Sequence, residues 1–134
     1  MNGYNPFPMR PTFRKHERLC GRLRITELAT TGKAVNESPF RLVGKFMELP
    51  TVSTAQVVFA VPRRNMKHAV DRNRMKRLMR EAYRLNKARY LEQLAAKGRQ
   101  CAWMFIFQGK APIGLAETQL KITRCLDRWM EKHG

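Results

Sequence analysis

The stretch Cys101–Phe107 (CAWMFIF) is apolar at both alternating sets of positions. A strand with one wet face alternates apolar and polar side chains, so this run predicts a central strand covered on both faces. A chain holding such a strand must build a sheet and lay other elements against it. Gln56–Val61 (QVVFAV) reads as a second buried strand, closed by Pro62, which has no N–H for a ladder. Phe40–Met47 (FRLVGKFM) mixes β-formers with basic residues and reads as another, followed by a turn over Glu48–Thr54 that holds Pro50.

Helical spacing accounts for much of the rest. A helix is expected from about His16 to Thr31, with Leu19, Leu23 and Leu28 facing inward and Gly32 as its C-cap. A longer one runs from roughly Ala69 to Leu94, with a break, and ends by Gly98. After the loop GKAPIG, a final helix over Ala116–Lys132 sets Ile122, Leu126 and Trp129 on one stripe. The expected fold is α+β, a small sheet with helices packed on it. One domain over residues 13–134 suits a chain of 134 residues, preceded by a flexible arm over residues 1–12 that carries Pro6, Pro8 and Pro11.

The long helix is also where charge concentrates. Between Arg63 and Lys87, the cations Arg63, Arg64, Lys67, Arg72, Arg74, Lys76, Arg77, Arg80, Arg84 and Lys87 face only two acids, Asp71 and Glu81. At roughly 100° per residue, Asn73, Lys76, Arg77, Arg80, Arg84 and Lys87 fall within one arc of about 100°. Met75, Leu78, Met79, Ala82 and Leu85 cluster on the other side. One face can therefore pack while the other presents cations to phosphates. The net charge of +17 makes a polyanion the natural partner. A membrane surface is the weaker choice, because no segment pairs a basic face with a large exposed aromatic and Leu face.

Other chemistries find little support. No Gly-rich phosphate loop is present, and the acids are too scattered for a two-metal nuclease. His16, His68 and His133 lie far apart, without an evident Ser, Cys or Asp partner. Cys20, Cys101 and Cys125 lack metal or redox spacing and are expected to be reduced thiols. There is no run of about 18 apolar residues and no apolar signal core, so no membrane is expected and the cytoplasm is the expected location. The expectation is a chain that binds, with no catalytic residue and no protein-held metal.

The segment His68–Arg84 (HAVDRNRMKRLMREAYR), preceded by VPRRN at Val61–Asn65, closely resembles the signature of the bacterial ribonuclease P protein subunit family. FRKHERL at Phe13–Leu19 resembles that family's opening, and Gly32 falls where its first helix ends. The likeness runs over about residues 13–130. It implies a two-layer α/β sandwich in the order αβββαβα, similar to the second domain of ribosomal protein S5, with a left-handed βαβ crossover. It also implies a partner, ribonuclease P RNA, with one protein per RNA. Together they would act as an endoribonuclease that removes the 5′ leader of precursor tRNA with Mg²⁺. The RNA would carry the chemistry and most of the Mg²⁺, while the protein binds the leader.

The likeness also implies roles for residues. Lys67, His68, Arg72, Asn73, Arg74, Lys76, Arg77, Arg80 and Arg84 are expected against the catalytic RNA. Phe40, Phe59, Ala60, Pro62, Arg63 and Arg64 are expected at the leader, in a cleft between the first helix and the sheet. Three positions depart from the family's usual residues. Ile25 stands where Phe is common, Val43 where Tyr is frequent, and Pro62 where Ser or Ala is usual. A non-catalytic ribosomal or ribosome-assembly protein of similar fold explains the charge equally well. A DNA-binding module is the weaker third reading, since no second helix-turn-helix element is visible.

Overall fold

In the computed structural model, which describes residues 13–50 and 52–134, the elements follow as α1 (Arg22–Thr31), β1 (Lys33–Glu37), β2 (Phe40–Phe46), β3 (Ala55–Ala60), α2 (Ala69–Asn86), α3 (Ala88–Lys97), β4 (Cys101–Phe107) and α4 (Leu115–His133). The arm expected over residues 1–12 lies outside the described residues. The strands form one sheet in the order β1-β2-β4-β3, antiparallel except for the parallel pair β3 and β4. Parallel neighbours need a long crossover, and α2 with α3 supplies it.

The central strand is β4, covered on both faces as its composition requires. On one face Trp103, Phe105 and Phe107 join Phe40, Leu42 and Val57 beneath Met75, Met79 and Tyr83 of α2, Tyr90 and Leu94 of α3, and Ile122, Leu126 and Trp129 of α4. On the other face Ala102 and Met104 join Val43 and Leu49 around Leu28 of α1. The large aromatics of the described residues thus gather on one side of the sheet, while α1 packs across the second with Leu19 and Leu49 beside it.

Two elements depart from the sequence expectation. The first helix begins at Arg22, not near His16. Lys15–Glu17 form a single 3₁₀ turn, and the Arg14 amide donates to the Glu17 carboxylate at 2.8 Å. The Leu19 N–H then donates to Val57 O at 2.9 Å, which ties the chain to the edge of β3 before Gly21, at φ 97°, starts the helix. Leu23, expected inward, is 86% exposed as a result. The second departure is β1, an edge strand in which only Val35 is buried, too weak a period-2 signal to read.

The long basic segment does break, at Lys87, between α2 and α3. Gly98 ends α3 in the left-handed conformation at φ 65°, which glycine adopts without steric cost. All three cysteines are free. Burial raises the thiol pKa of Cys101 and of Cys125, the latter to about 12, while Cys20 is exposed. No helix of the described residues is long and apolar enough to cross a membrane.

One glycine is required by close approach. A Cβ on Gly44 would stand 2.5 Å from Trp103 Cδ1 and 2.5 Å from Trp129 Cε2, both in fully packed indoles. Gly44→Ala is expected to cost about 1–3 kcal/mol in urea unfolding, because neither ring has room to retreat. An unchanged midpoint would show that the two indoles can move apart.

Candidate nucleic-acid interface

Helix α2 buries Met75, Met79, Ala82 and Tyr83. Leu85, expected on that side, is 42% exposed, and Tyr83 points inward instead. Its ring meets Phe13 at 5.8 Å, Phe59 at 6.0 Å and Phe105 at 6.3 Å between centroids. This contact turns the buried arc toward the cationic row, so Lys76 and Arg80 end up half-buried beside it.

The cations of this segment divide by what they already hold. The Arg72 guanidinium donates to Met66 O at 2.9 Å and Lys67 O at 2.6 Å, which staples the loop onto the helix. Arg84 donates to Glu81 through Nε at 2.8 Å and again through Nη2, and this pair raises its pKa. Lys87, part of the expected phosphate arc, forms an ion pair with Glu17, with side chains only 12% and 10% exposed. Asn73, Arg74 and Arg77 are exposed, and with Lys76 and Arg80 they have no side-chain partner among the described residues. Arg63, Arg64, Lys67 and His68 continue the exposed patch through the preceding loop. Arg80 titrates below an ordinary arginine, first because of burial and then because Arg18 and Arg77 are like charges nearby. This surface can grip phosphates, and no carboxylate of the helix neutralises its centre.

The residues expected at a leader cleft do not come together. Phe40 is 0% exposed, its ring 5.1 Å from that of Phe107 in the aromatic core, so it has no surface to offer a base. Phe59 shares that side of the sheet, stacked on Phe105 at 5.8 Å. Ala60 lies on the opposite side by strand alternation, near the half-buried Val58 and Ile106. Pro62 is half-buried beyond the end of β3, and Arg63 and Arg64 follow it on the surface. The side of the sheet that carries α1 holds Arg41, Val43, Lys45, Gln56, Val58, Ala60, Ala102, Met104 and Ile106, and α1 itself contains no aromatic residue. A cleft there has an aliphatic floor, with Val43 and Ile25 in the α1 packing, so phosphate contacts and aliphatic contacts are what it can make.

Aromatic surface lies instead at the outer edge of β3. Phe13, Arg18, Leu19, Val58, Phe59 and Arg80 line a recess of about 160 Å³. Arg18 is a residue of this recess that the sequence pattern does not single out. Its only signal was its place in the FRKHERL opening, because the bend at Gly21 that carries this segment to β3 leaves no periodicity to follow. Among the described residues no group of three or more His, Cys, Asp or Glu is gathered that could hold a metal ion.

Comparison with known proteins places this architecture. Residues 13–133 match the model of the Ribonuclease P family. The chain is 41% identical over 98 residues to the ribonuclease P protein component of Chlorobium phaeobacteroides, covering 66% of this chain and 62% of that protein. It is 42% identical over 79 residues to that of Porphyromonas gingivalis, covering 58% of each. The matched stretch thus spans about three fifths of the length of these relatives. The fold is similar to the Staphylococcus aureus RNase P protein, with TM-score 0.66 at 17% identity over 87% of this chain and 95% of that one. It is also similar to the Thermotoga maritima RNase P protein, with TM-score 0.64 at 21% identity over 84% of this chain and 96% of that one.

Proposed function

The chain belongs to the Ribonuclease P protein family, and from that premise we propose that it is the protein subunit of a ribonucleoprotein that matures the 5′ end of tRNA. The observation that carries this reading is the row Asn73, Arg74, Lys76, Arg77 and Arg80 on α2, cationic, accessible and free of ion-pair partners among the described residues. Such a row is costly in self-repulsion and gains most from a partner with closely spaced phosphates. In this proposal the row lies on the catalytic RNA, and Lys67 and His68 extend it.

Cleavage of the precursor belongs to the RNA in this reading, with Mg²⁺ held by phosphates. The protein contributes position and charge. The 5′ leader would cross the α1 side of the sheet, its phosphates meeting Arg41, Arg63 and Arg64, with Ala60 and Pro62 as aliphatic support. The reading is tested by purifying the chain from its host with bound RNA intact. One dominant RNA that cleaves precursor tRNA on its own at high Mg²⁺ is the expected result. Recovery of ribosomal RNA instead would replace this reading with that of a ribosomal or assembly protein.

A further inference from the structure

The recess lies at the outer rim of β3, where Leu19 and Val58 from the α1 side of the sheet meet Phe13 and Phe59 from the other, and its composition is unlike the rest of the basic surface. Two half-buried rings, Phe13 and Phe59, form its wall, with Val58 and Leu19 beside them. The guanidinium of Arg18 stands 5.9 Å from the centre of the Phe13 ring, and Arg80 approaches from α2. Arg18 and Arg80 have no carboxylate partner among the described residues. The backbone adds hydrogen-bonding groups. Val57 O accepts from Leu19 N–H at 2.9 Å, so Val57 directs its polar groups away from β4. By the two-residue repeat of a strand, the N–H and C=O of Phe59 point to the same outer edge, and no described residue pairs with them. Position is enforced from below, because the buried pair of Glu17 and Lys87 clamps the 3₁₀ turn that carries Arg18 against the end of α2.

We propose that this recess takes one unpaired nucleotide of the RNA that lies on α2. Its base enters against Phe13 and Phe59, its edge meets the free Phe59 backbone groups, and its phosphate sits between Arg18 and Arg80. The chemistry is that of single-strand readers, in which an aromatic platform adjoins a cationic track. Burial first, and then the nearby charges of Arg18 and Arg77, hold the Arg80 pKa below that of an ordinary arginine, so a bound anion would relieve the repulsion. Among the described residues, the α1 side of the sheet has no aromatic side chain to compete for the base. The proposal rests on the RNA-binding reading above and adds a separate subsite to it.

The test compares two single-stranded probes of equal length and charge, an oligouridylate and a chain of abasic sugar-phosphate units, titrated against the full chain. The wild type is expected to bind the oligouridylate about tenfold more tightly, the effect of one base–aromatic contact. Phe59→Leu and, separately, Phe13→Leu should bring the ratio toward one while leaving the affinity for the abasic chain unchanged. The second variant covers the case in which the first unfolds. Arg18→Ala should weaken both probes alike and make the salt dependence shallower by the equivalent of about one phosphate. A ratio near one in the wild type, or a ratio unaltered in both Phe variants, overturns the subsite and leaves the α2 surface untouched. Failure of the wild type to bind either probe overturns the RNA-binding reading itself.

Discussion

Lys87→Ala is expected to lower unfolding stability by about 3–5 kcal/mol, the cost of leaving one member of a buried ion pair without its partner. Lys87 stands where α2 meets α3, and its ammonium meets the Glu17 carboxylate with both side chains nearly sealed from solvent. Removing it leaves Glu17 with the Arg14 amide as its other hydrogen-bond donor, 2.8 Å away, and with the buried Tyr83 nearby. Burial and the Glu17 charge both push the Tyr83 hydroxyl pKa up, so that phenol does not share the negative charge. Pairing Lys87→Met with Glu17→Leu should recover most of the loss, because a matched apolar pair removes the stranded charge. Urea unfolding of the single and double variants decides it. A single-variant cost under about 1 kcal/mol would mean that water reaches Glu17 and that the pair behaves as a surface bridge.

The second large effect concerns the cationic surface of α2. Arg74→Ala combined with Arg77→Ala should weaken RNA binding by roughly a hundredfold or more, since each charge-assisted hydrogen bond is worth about 1.5–3 kcal/mol. The plot of log affinity against log salt should become shallower by about 0.7–0.9 for each phosphate that the variant no longer neutralises. Arg72→Ala provides the contrast. Its guanidinium already serves Met66 O and Lys67 O, so its removal should appear first in stability and leave the salt slope near that of the wild type. Equal slopes for the double variant and the wild type would remove Arg74 and Arg77 from the interface.

How far each part could be read in the sequence follows from the physics of its signal. Strand β4 was legible to the residue because both of its faces are buried, which leaves no room for polar side chains. The helix boundaries at Gly32 and Gly98 were legible for a similar reason, since glycine marks the end of a helical run. Edge strand β1 was not, because one buried side chain, Val35, makes no period. Phe40 illustrates a deeper limit. Alternation says that Phe40 and Leu42 share one face of β2 and Val43 the other, yet it does not say which face meets the larger helical layer. That choice rests on Trp103, Trp129 and Gly44, residues distant in the chain that meet only in the fold. Charge had the same ambiguity. Arg72, Arg84 and Lys87 looked like Arg74 and Arg77 in one dimension, and only their partners distinguish them.

The central claim, that this cationic α2 surface assists an RNA catalyst, is tested most directly by reconstitution. The purified chain is mixed with a bacterial ribonuclease P RNA transcript and precursor tRNA at a Mg²⁺ concentration too low for the RNA alone to cleave. The account predicts no cleavage by the protein alone, release of the 5′ leader by the mixture, and loss of that stimulation in the Arg74→Ala and Arg77→Ala double variant. A mixture no faster than the RNA alone, with the protein folded and in excess, would contradict it.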